Sequence, residues 1–383
     1  MEFPYYDDAA LEGQLSGNRF SVTYLFRSDE SAALERAKAL CVEQTVEFPE
    51  EHIDCPAIRA HLIGRVESMT FPGGKMARTV ISYADETAGA DLPQLLNVIF
   101  GNASIFSDVT LERITLSEAQ KAYFPGPRFG VAGLRKRLGV SDRPLAATAL
   151  KPMGLSPKSL AALAYQCALG GIDLIKDDHG LMDQSFAQFR KRVELVSAAV
   201  RKANAETGGR TVYVPNLSGG FRDMLSRIGL AEDCGVGGLM FAPGLVGFDL
   251  LHYAARHTSL PLVCHPAMLG AALDRGKGGI SCSCLFGQLP RIAGADLSIF
   301  PNYGGRFSLS KDQCKGIQRA LSEKIRSIRP AFPCVAGGMT LEKVKQIQDF
   351  YGGDVVLLIG GSLFTASGTL AGNCKQFIHE LEK

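Results

Sequence analysis

The chain has 383 residues, 46% apolar and 21% charged, with 41 basic and 39 acidic side chains and a formal charge of +2. That length suits two domains or one elaborated barrel, and the composition is ordinary for a soluble globular protein. Basic residues spread along the whole chain leave no nucleic-acid footprint, and no apolar run reaches membrane-spanning length. The acidic and aromatic opening MEFPYYDDAA argues against a signal or transit peptide, so the cytoplasm is the expected location. Ten cysteines at irregular spacings, with no C-x-x-C pair, read as reduced thiols, several of them buried.

In chain order, residues 20–26 alternate like a strand and residues 31–41 have helical periodicity. Residues 61–69 and 78–83 read as two strands around the Phe71-Pro72-Gly73-Gly74 turn. Residues 92–100 form a short apolar helix ending at Gly101-Asn102, and residues 109–114 a further strand. This βαββαβ order predicts a ferredoxin-like α+β domain over residues 1–126. The turn-rich Phe124-Pro125-Gly126-Pro127 marks the boundary.

Beyond it, apolar strands and helical stretches alternate. Strands are expected at 144–150, 172–175, 211–214, 238–241, 261–264, 296–300, 333–336 and 355–359, with helices such as 184–205, 340–351 and 374–382. Eight β/α units in residues 127–383 predict an α/β fold, a (β/α)₈ barrel. An open doubly wound sheet is the rival, but glycine pairs after the last two strands favour closure.

Strand ends converge at the mouth of such a barrel, where chemistry sits. The first strand ends on Lys151 and the second on Lys176, Asp177, Asp178 and His179. Gly337-Gly338 and Gly360-Gly361 follow strands seven and eight. Unhindered backbone N–H groups there suit one phosphate. Taken alone, each pair is also what a tight turn needs. A buried lysine of lowered pKa can react with CO₂ to give a carbamate. With Asp178, that oxygen ligand would suit Mg²⁺. His179 is a less natural third ligand for a hard ion and is open to a role as base or hydrogen-bond donor.

The segment 126–157, GPRFGVAGLRKRLGVSDRPLAATALKPMGLSP, followed by GGIDLIKDDHG, resembles the large subunit of ribulose-bisphosphate carboxylase/oxygenase (RuBisCO), and within that family the RuBisCO-like proteins that do not fix CO₂. The resemblance covers nearly the whole chain and implies a homodimer, or a higher assembly of dimers, in which one copy's N-terminal domain covers the partner's barrel mouth. It implies that Lys176 is the carbamylated lysine, Asp178 a magnesium ligand, Lys151 the proton shuttle and His265 the strand-five histidine. His179 stands where the carboxylases have a glutamate ligand. Arg306 lies near the position of the CO₂-gripping loop lysine. Glu43 matches the glutamate that reaches across the dimer, and Asn102 (or Asn97) the partner-contributed asparagine.

Departures from the family pattern run in one direction. Met153 replaces a second lysine, Pro266 a phosphate-binding arginine, and Ala336 a serine, while Ile299-Phe300-Pro301 lacks the strand-six histidine. The second anion of a bisphosphate would lie unpaired in a closed site, a cost of several kcal/mol. A monophosphorylated substrate and enediolate chemistry without CO₂ fixation are therefore expected. Within the resemblance, decarboxylation of 3-oxo-isoapionate 4-phosphate comes first. Transcarboxylation and hydrolysis of the same substrate, or enolase or isomerase chemistry on a methylthio-sugar phosphate in methionine salvage, are the alternatives. A metabolite-binding regulator is the non-enzymatic one.

Overall fold

The computed structural model describes residues 11–307 and 309–383. Residues 1–10, whose character set the expectation about a leader, lie outside the described residues. Among those described, no helix is long and apolar enough to cross a membrane.

The chain divides into two compact units. One runs up to Pro125 and takes in Ala271–Gln288; the other comprises Gly126–Gly270 and Leu289–Lys383. The smaller unit is a five-stranded sheet of β1 (Arg19–Phe26), β2 (Arg65–Thr70), β3 (Ala77–Ala84), β4 (Val109–Thr115) and β10 (Gly279–Ile280), in the order β10-β4-β1-β3-β2. β1 lies antiparallel to both β3 and β4 and alternates strictly between half-buried and buried residues. Phe20, Val22, Tyr24 and Phe26 point into the core. Its helices are Glu30–Glu43 and Leu92–Phe100, the second opened by Asp91 accepting from the Gln94 N–H.

Two features of this unit differ from the expectation. Residues 58–62 form a helical turn, which delays β2 to Arg65. Residues 271–288, expected within the barrel, belong to this unit. Gly279 and Ile280 pair in parallel with Thr110 and Leu111, and Ser281 donates both its N–H (to Leu111 O) and its hydroxyl (to Glu112 O).

The larger unit is an eight-stranded parallel barrel: β5 (Leu145–Leu150), β6 (Leu174–Asp177), β7 (Val212–Val214), β8 (Leu239–Phe241), β9 (Leu262–Cys264), β11 (Leu297–Pro301), β12 (Phe332–Ala336) and β13 (Val356–Leu358). Ladders link β7 through β13 to β8, and the parallel bridge Asn216–Met240 nearly closes the ring. Leu145, Ala147, Leu174, Val214, Met240, Val263, Ile299, Cys334 and Val356 fill the interior. The Gly130–Leu138 helix contributes Leu134 and Leu138 where the strands begin. Asp296 fixes that helix by accepting from the Phe129 and Gly130 N–H groups at 2.7 and 2.8 Å. With the strand starts packed in this way, the chemistry-bearing side chains are left at the opposite end.

Candidate active site

Strand alternation decides which side chains reach the barrel axis. Leu145 and Ala147 point inward on β5, and the same period carries on to Lys151. On β6, Leu174 points inward, so Lys176 and Asp178 follow it while Asp177 faces out. Val263 leads to His265 in the same way, and Val356 and Leu358 to Gly360. The parallel register sets Ala149 beside Lys176 and Leu150 beside Asp177, which brings Lys151 level with Asp178.

The Lys151 ammonium pairs with Asp178 Oδ2. Asp178 Oδ1 accepts from the Gly180 N–H at 3.0 Å and lies 3.5 Å from His179 Nδ1. The His179 and His265 rings stack with centroids 4.5 Å apart and planes 13° from parallel. Lys176 is buried and donates to the Asp177 carbonyl at 2.8 Å. Burial, partly opposed by Asp178, pulls the Lys176 amine from 10.5 down to about 8. Burial pushes the Asp178 carboxyl up, but hydrogen bonds from Lys151 and Gly180, with the nearby lysine charges, outweigh it and hold the group below the usual carboxylate range. Burial also lowers the His179 imidazole, against the pull of Asp178.

Asp177, indistinguishable from Asp178 by residue type, has another task. Its carboxylate accepts from Arg192 Nε at 3.0 Å, the Tyr213 hydroxyl at 2.8 Å and the Asn216 N–H at 3.1 Å. The Asn216 side chain donates in turn to the His179 and Leu181 carbonyls. This outward network braces the turn that aims Lys176, Asp178 and His179 inward. Sequence reasoning missed it, although the period of two from Leu174 already separates 177 from its neighbours.

The glycine turns lie beside this cluster. A Cβ on Gly360 would stand 3.7 Å from Lys151 Cε, so the lysine stem passes over the strand-eight turn. Gly337 and Gly338 have φ of 90° and 88°, which favours glycine. The loop after β11 lies against them. Arg306 N–H donates to the Gly337 carbonyl at 3.2 Å, and a Cβ on Gly305 would come within 2.0 Å of that oxygen. Arg306 thus stands at Gly338, and Lys343 reaches the Gly304 and Gly338 carbonyls at 3.4 Å, a cation the sequence reading did not single out. Gly361 opens the short Gly361–Thr365 helix, whose Ser362 hydroxyl donates to Met339 O.

Glu43 and Asn102 lie in the smaller unit. Asn102 Nδ2 donates to Glu43 Oε1 at 2.8 Å and to Glu47 Oε1 at 3.2 Å, on a cleft of about 470 Å³. Asn97, the alternative to Asn102, lines the same cleft, and Gln44 donates to its backbone carbonyl.

The profile of the ribulose bisphosphate carboxylase large chain, catalytic domain, matches residues 130–304. A 5-methylthioribulose-1-phosphate isomerase of Rhodospirillum rubrum is 39% identical over 94% of this chain and 96% of its own. The chain belongs to the RuBisCO large-chain family, among its RuBisCO-like members. A 2,3-diketo-5-methylthiopentyl-1-phosphate enolase of Geobacillus thermodenitrificans is 35% identical over 76% of this chain and 71% of its own. The crystal structure of a RuBisCO-like protein from Rhodopseudomonas palustris superposes with a TM-score of 0.86 at 41% identity, covering 95% and 97% of the two chains. The fold expected from the sequence, a (β/α)₈ barrel with an N-terminal sheet domain, is thus the family's.

The family resemblance implies a magnesium ion on a carbamylated lysine, and the donor set tests that directly. Among the described residues no three His, Cys, Asp or Glu side chains group to hold a metal. Lys176, Asp178 and His179 become a three-donor set only when the Lys176 amine is converted to a carbamate. Its burial and lowered pKa favour the neutral amine which that reaction needs. In that form the residues fit a divalent cation, with one nitrogen among oxygen donors.

Proposed function

We propose that this enzyme isomerises a monophosphorylated ketose by moving a proton between adjacent carbons through an enediolate, with neither uptake nor loss of CO₂. The observation that carries the reading is the position of Lys151: its stem lies over Gly360 and its ammonium on Asp178, so a proton-moving amine stands between the glycine turns and the acid–histidine cluster. The isomerase and enolase names of the two relatives support the reading, and make a methylthio-sugar phosphate the substrate to try first. Neither relative bears a decarboxylase name, so the branch favoured on sequence becomes an outcome of the test.

The glycine N–H groups at 337, 338, 360 and 361, with Arg306, hold the phosphate and fix which carbons face Lys151. A divalent cation on carbamylated Lys176, Asp178 and His179 would polarise the substrate carbonyl. Lys151 takes the proton from the hydroxyl-bearing carbon beside the carbonyl and the electron pair moves onto the carbonyl oxygen. The neighbouring hydroxyl's proton then passes to that oxygen as the ammonium returns its proton to the former carbonyl carbon. Glu43 and Asn102 would complete the site from a second copy, as the family resemblance implies.

The test supplies 5-methylthioribulose 1-phosphate to protein treated with Mg²⁺ and bicarbonate, and follows products and solvent deuterium by NMR. An isomeric ketose phosphate is the expected result. CO₂ released from 3-oxo-isoapionate 4-phosphate, with no isomerisation, would replace this reading by decarboxylation. Ligand binding without any turnover would favour the regulator.

A further inference from the structure

Three successive carbonyls of the turn after β12 are held from outside that turn. Gly337 O accepts from the Arg306 N–H at 3.2 Å, Gly338 O faces the Lys343 ammonium at 3.4 Å, and Met339 O accepts from the Ser362 hydroxyl at 2.9 Å. The same ammonium reaches Gly304 O at 3.4 Å, so one cation bridges the loops that follow β11 and β12. Among the described residues no carboxylate pairs with Lys343, and its charge is left to these oxygens. Helix stability does not account for it either. Lys343 is the residue that opens the Val344–Tyr351 helix, and a helix dipole favours anions at that end.

These contacts decide where the N–H groups of the turn point. Across a trans peptide the carbonyl of one residue and the N–H of the next face opposite ways. β12 lies between β11 and β13. The Gly337 and Gly338 carbonyls both turn to the β11 side, toward the Arg306 N–H and the ammonium that also touches Gly304. The N–H groups of Gly338 and Met339 accordingly face the β13 side, where Gly360-Gly361 follows. Neither donates to a protein acceptor among the described residues. Met339 is buried, and an amide left this way is completed by water or by an anion. Ser362 belongs to the Gly361–Thr365 helix, so its bond to Met339 O ties the two glycine turns together.

We propose that Lys343 is a positioning residue for the phosphate. By holding the Gly338 carbonyl on the β11 side it aims the Met339 N–H at the anion, adding a backbone donor to those at 337, 338, 360 and 361. By holding Gly304 O it keeps the Arg306 loop seated on the same turn. This rests on the functional reading for the phosphate and extends it to how the pocket is built. The charge matters as well as the contact. A cation on a carbonyl oxygen polarises the peptide and makes the N–H at its far end a stronger donor. Lys343 thus strengthens the cradle from behind, without touching the ligand.

The experiment titrates ¹⁵N-methionine-labelled full-length protein with inorganic phosphate, using Met339→Leu to assign the Met339 amide. In the parent, phosphate should shift that amide to saturation. Lys343→Ala should move the resonance before any phosphate is added and weaken phosphate binding about tenfold, the worth of one hydrogen bond. Lys343→Arg should recover most of the affinity. Weakened binding with an unmoved Met339 amide in phosphate-free Lys343→Ala would make the lysine a direct ligand and overturn the positioning role. Undiminished binding in Lys343→Ala, or no recovery in Lys343→Arg, would overturn it too. A parent amide that ignores phosphate overturns the proposal even if a phosphorylated ketose turns over. Decarboxylation in place of isomerisation, with the shifts as expected, removes the isomerase reading and leaves the proposal standing. On whichever phosphorylated substrate turns over, Lys343→Ala should raise KM about tenfold and change kcat little. A fall in kcat with KM unchanged would place the lysine in the chemistry and overturn its role as a clamp.

Discussion

Asp177 and Arg192 meet at 3.0 Å with neither side chain exposed. The guanidinium also donates to the Met182 and Ala187 carbonyls, so one buried cation ties the end of β6 to the loop that follows it. Breaking such a pair leaves a charge stranded in the interior. Arg192→Met is expected to cost about 3–5 kcal/mol in denaturant unfolding, and Tyr213→Phe, which removes one hydrogen bond to the same carboxylate, about 1.5–3 kcal/mol. Equal losses in the two variants would mean that the carboxylate does not depend on Arg192.

Lys176 imposes the opposite expectation. Folding lowers its amine from 10.5 to about 8. Between those values the unfolded chain binds the extra proton, so stability rises with pH across that window; below it the full penalty of about 3 kcal/mol applies. In CO₂-free buffer Lys176→Met should therefore be more stable than the parent at pH 7, with the gain fading above roughly pH 10. Thermal unfolding at the two pH values measures this, and a destabilised variant at pH 7 would refute it.

Carbamylation can be read without turnover. With ¹³C-bicarbonate and Mg²⁺ a carbamate carbon signal should appear in the parent protein and be missing in Lys176→Met. Removing bicarbonate should abolish Mg²⁺ retention on gel filtration, because Asp178 and His179 alone are too few ligands for a hard cation.

Lys151→Gln keeps a polar side chain over Gly360 but cannot exchange a proton. Deuterium wash-in and kcat should fall together by about 10²–10⁴-fold, with KM for the phosphorylated substrate little changed. A variant that lost binding and kept the rate at saturation would return Lys151 to the anchoring machinery.

Gly305→Ala drives a methyl group to within 2.0 Å of the Gly337 carbonyl, so the Arg306 loop must lift from the strand-seven turn. Loss of one hydrogen bond to a charged ligand is worth about 1.5–3 kcal/mol, which predicts a rise in KM of roughly tenfold to a hundredfold. Inorganic phosphate should inhibit the parent more strongly than the variant.

The barrel strands were legible because each is an apolar run stopped by a proline, a glycine pair or a charged residue, and residues such as Lys151 and Lys176 stood out for ending one. β10 was not legible: two residues offer no period, and their partners, Thr110 and Leu111, lie far away in sequence. The brace around Asp177 was hidden for a similar reason, since Arg192 belongs to the Phe189–Thr207 helix and nothing local marks it as a partner.

The excursion of residues 271–288 bears on how such a protein can be inherited. The polypeptide passes between the two compact units three times, at 125/126, 270/271 and 288/289, and the smaller sheet borrows its fifth strand from within the gene segment for the larger unit. Neither unit can be exchanged as a cassette by a single recombination event. A graft of the smaller sheet therefore has to carry residues 271–288 along with residues up to 125.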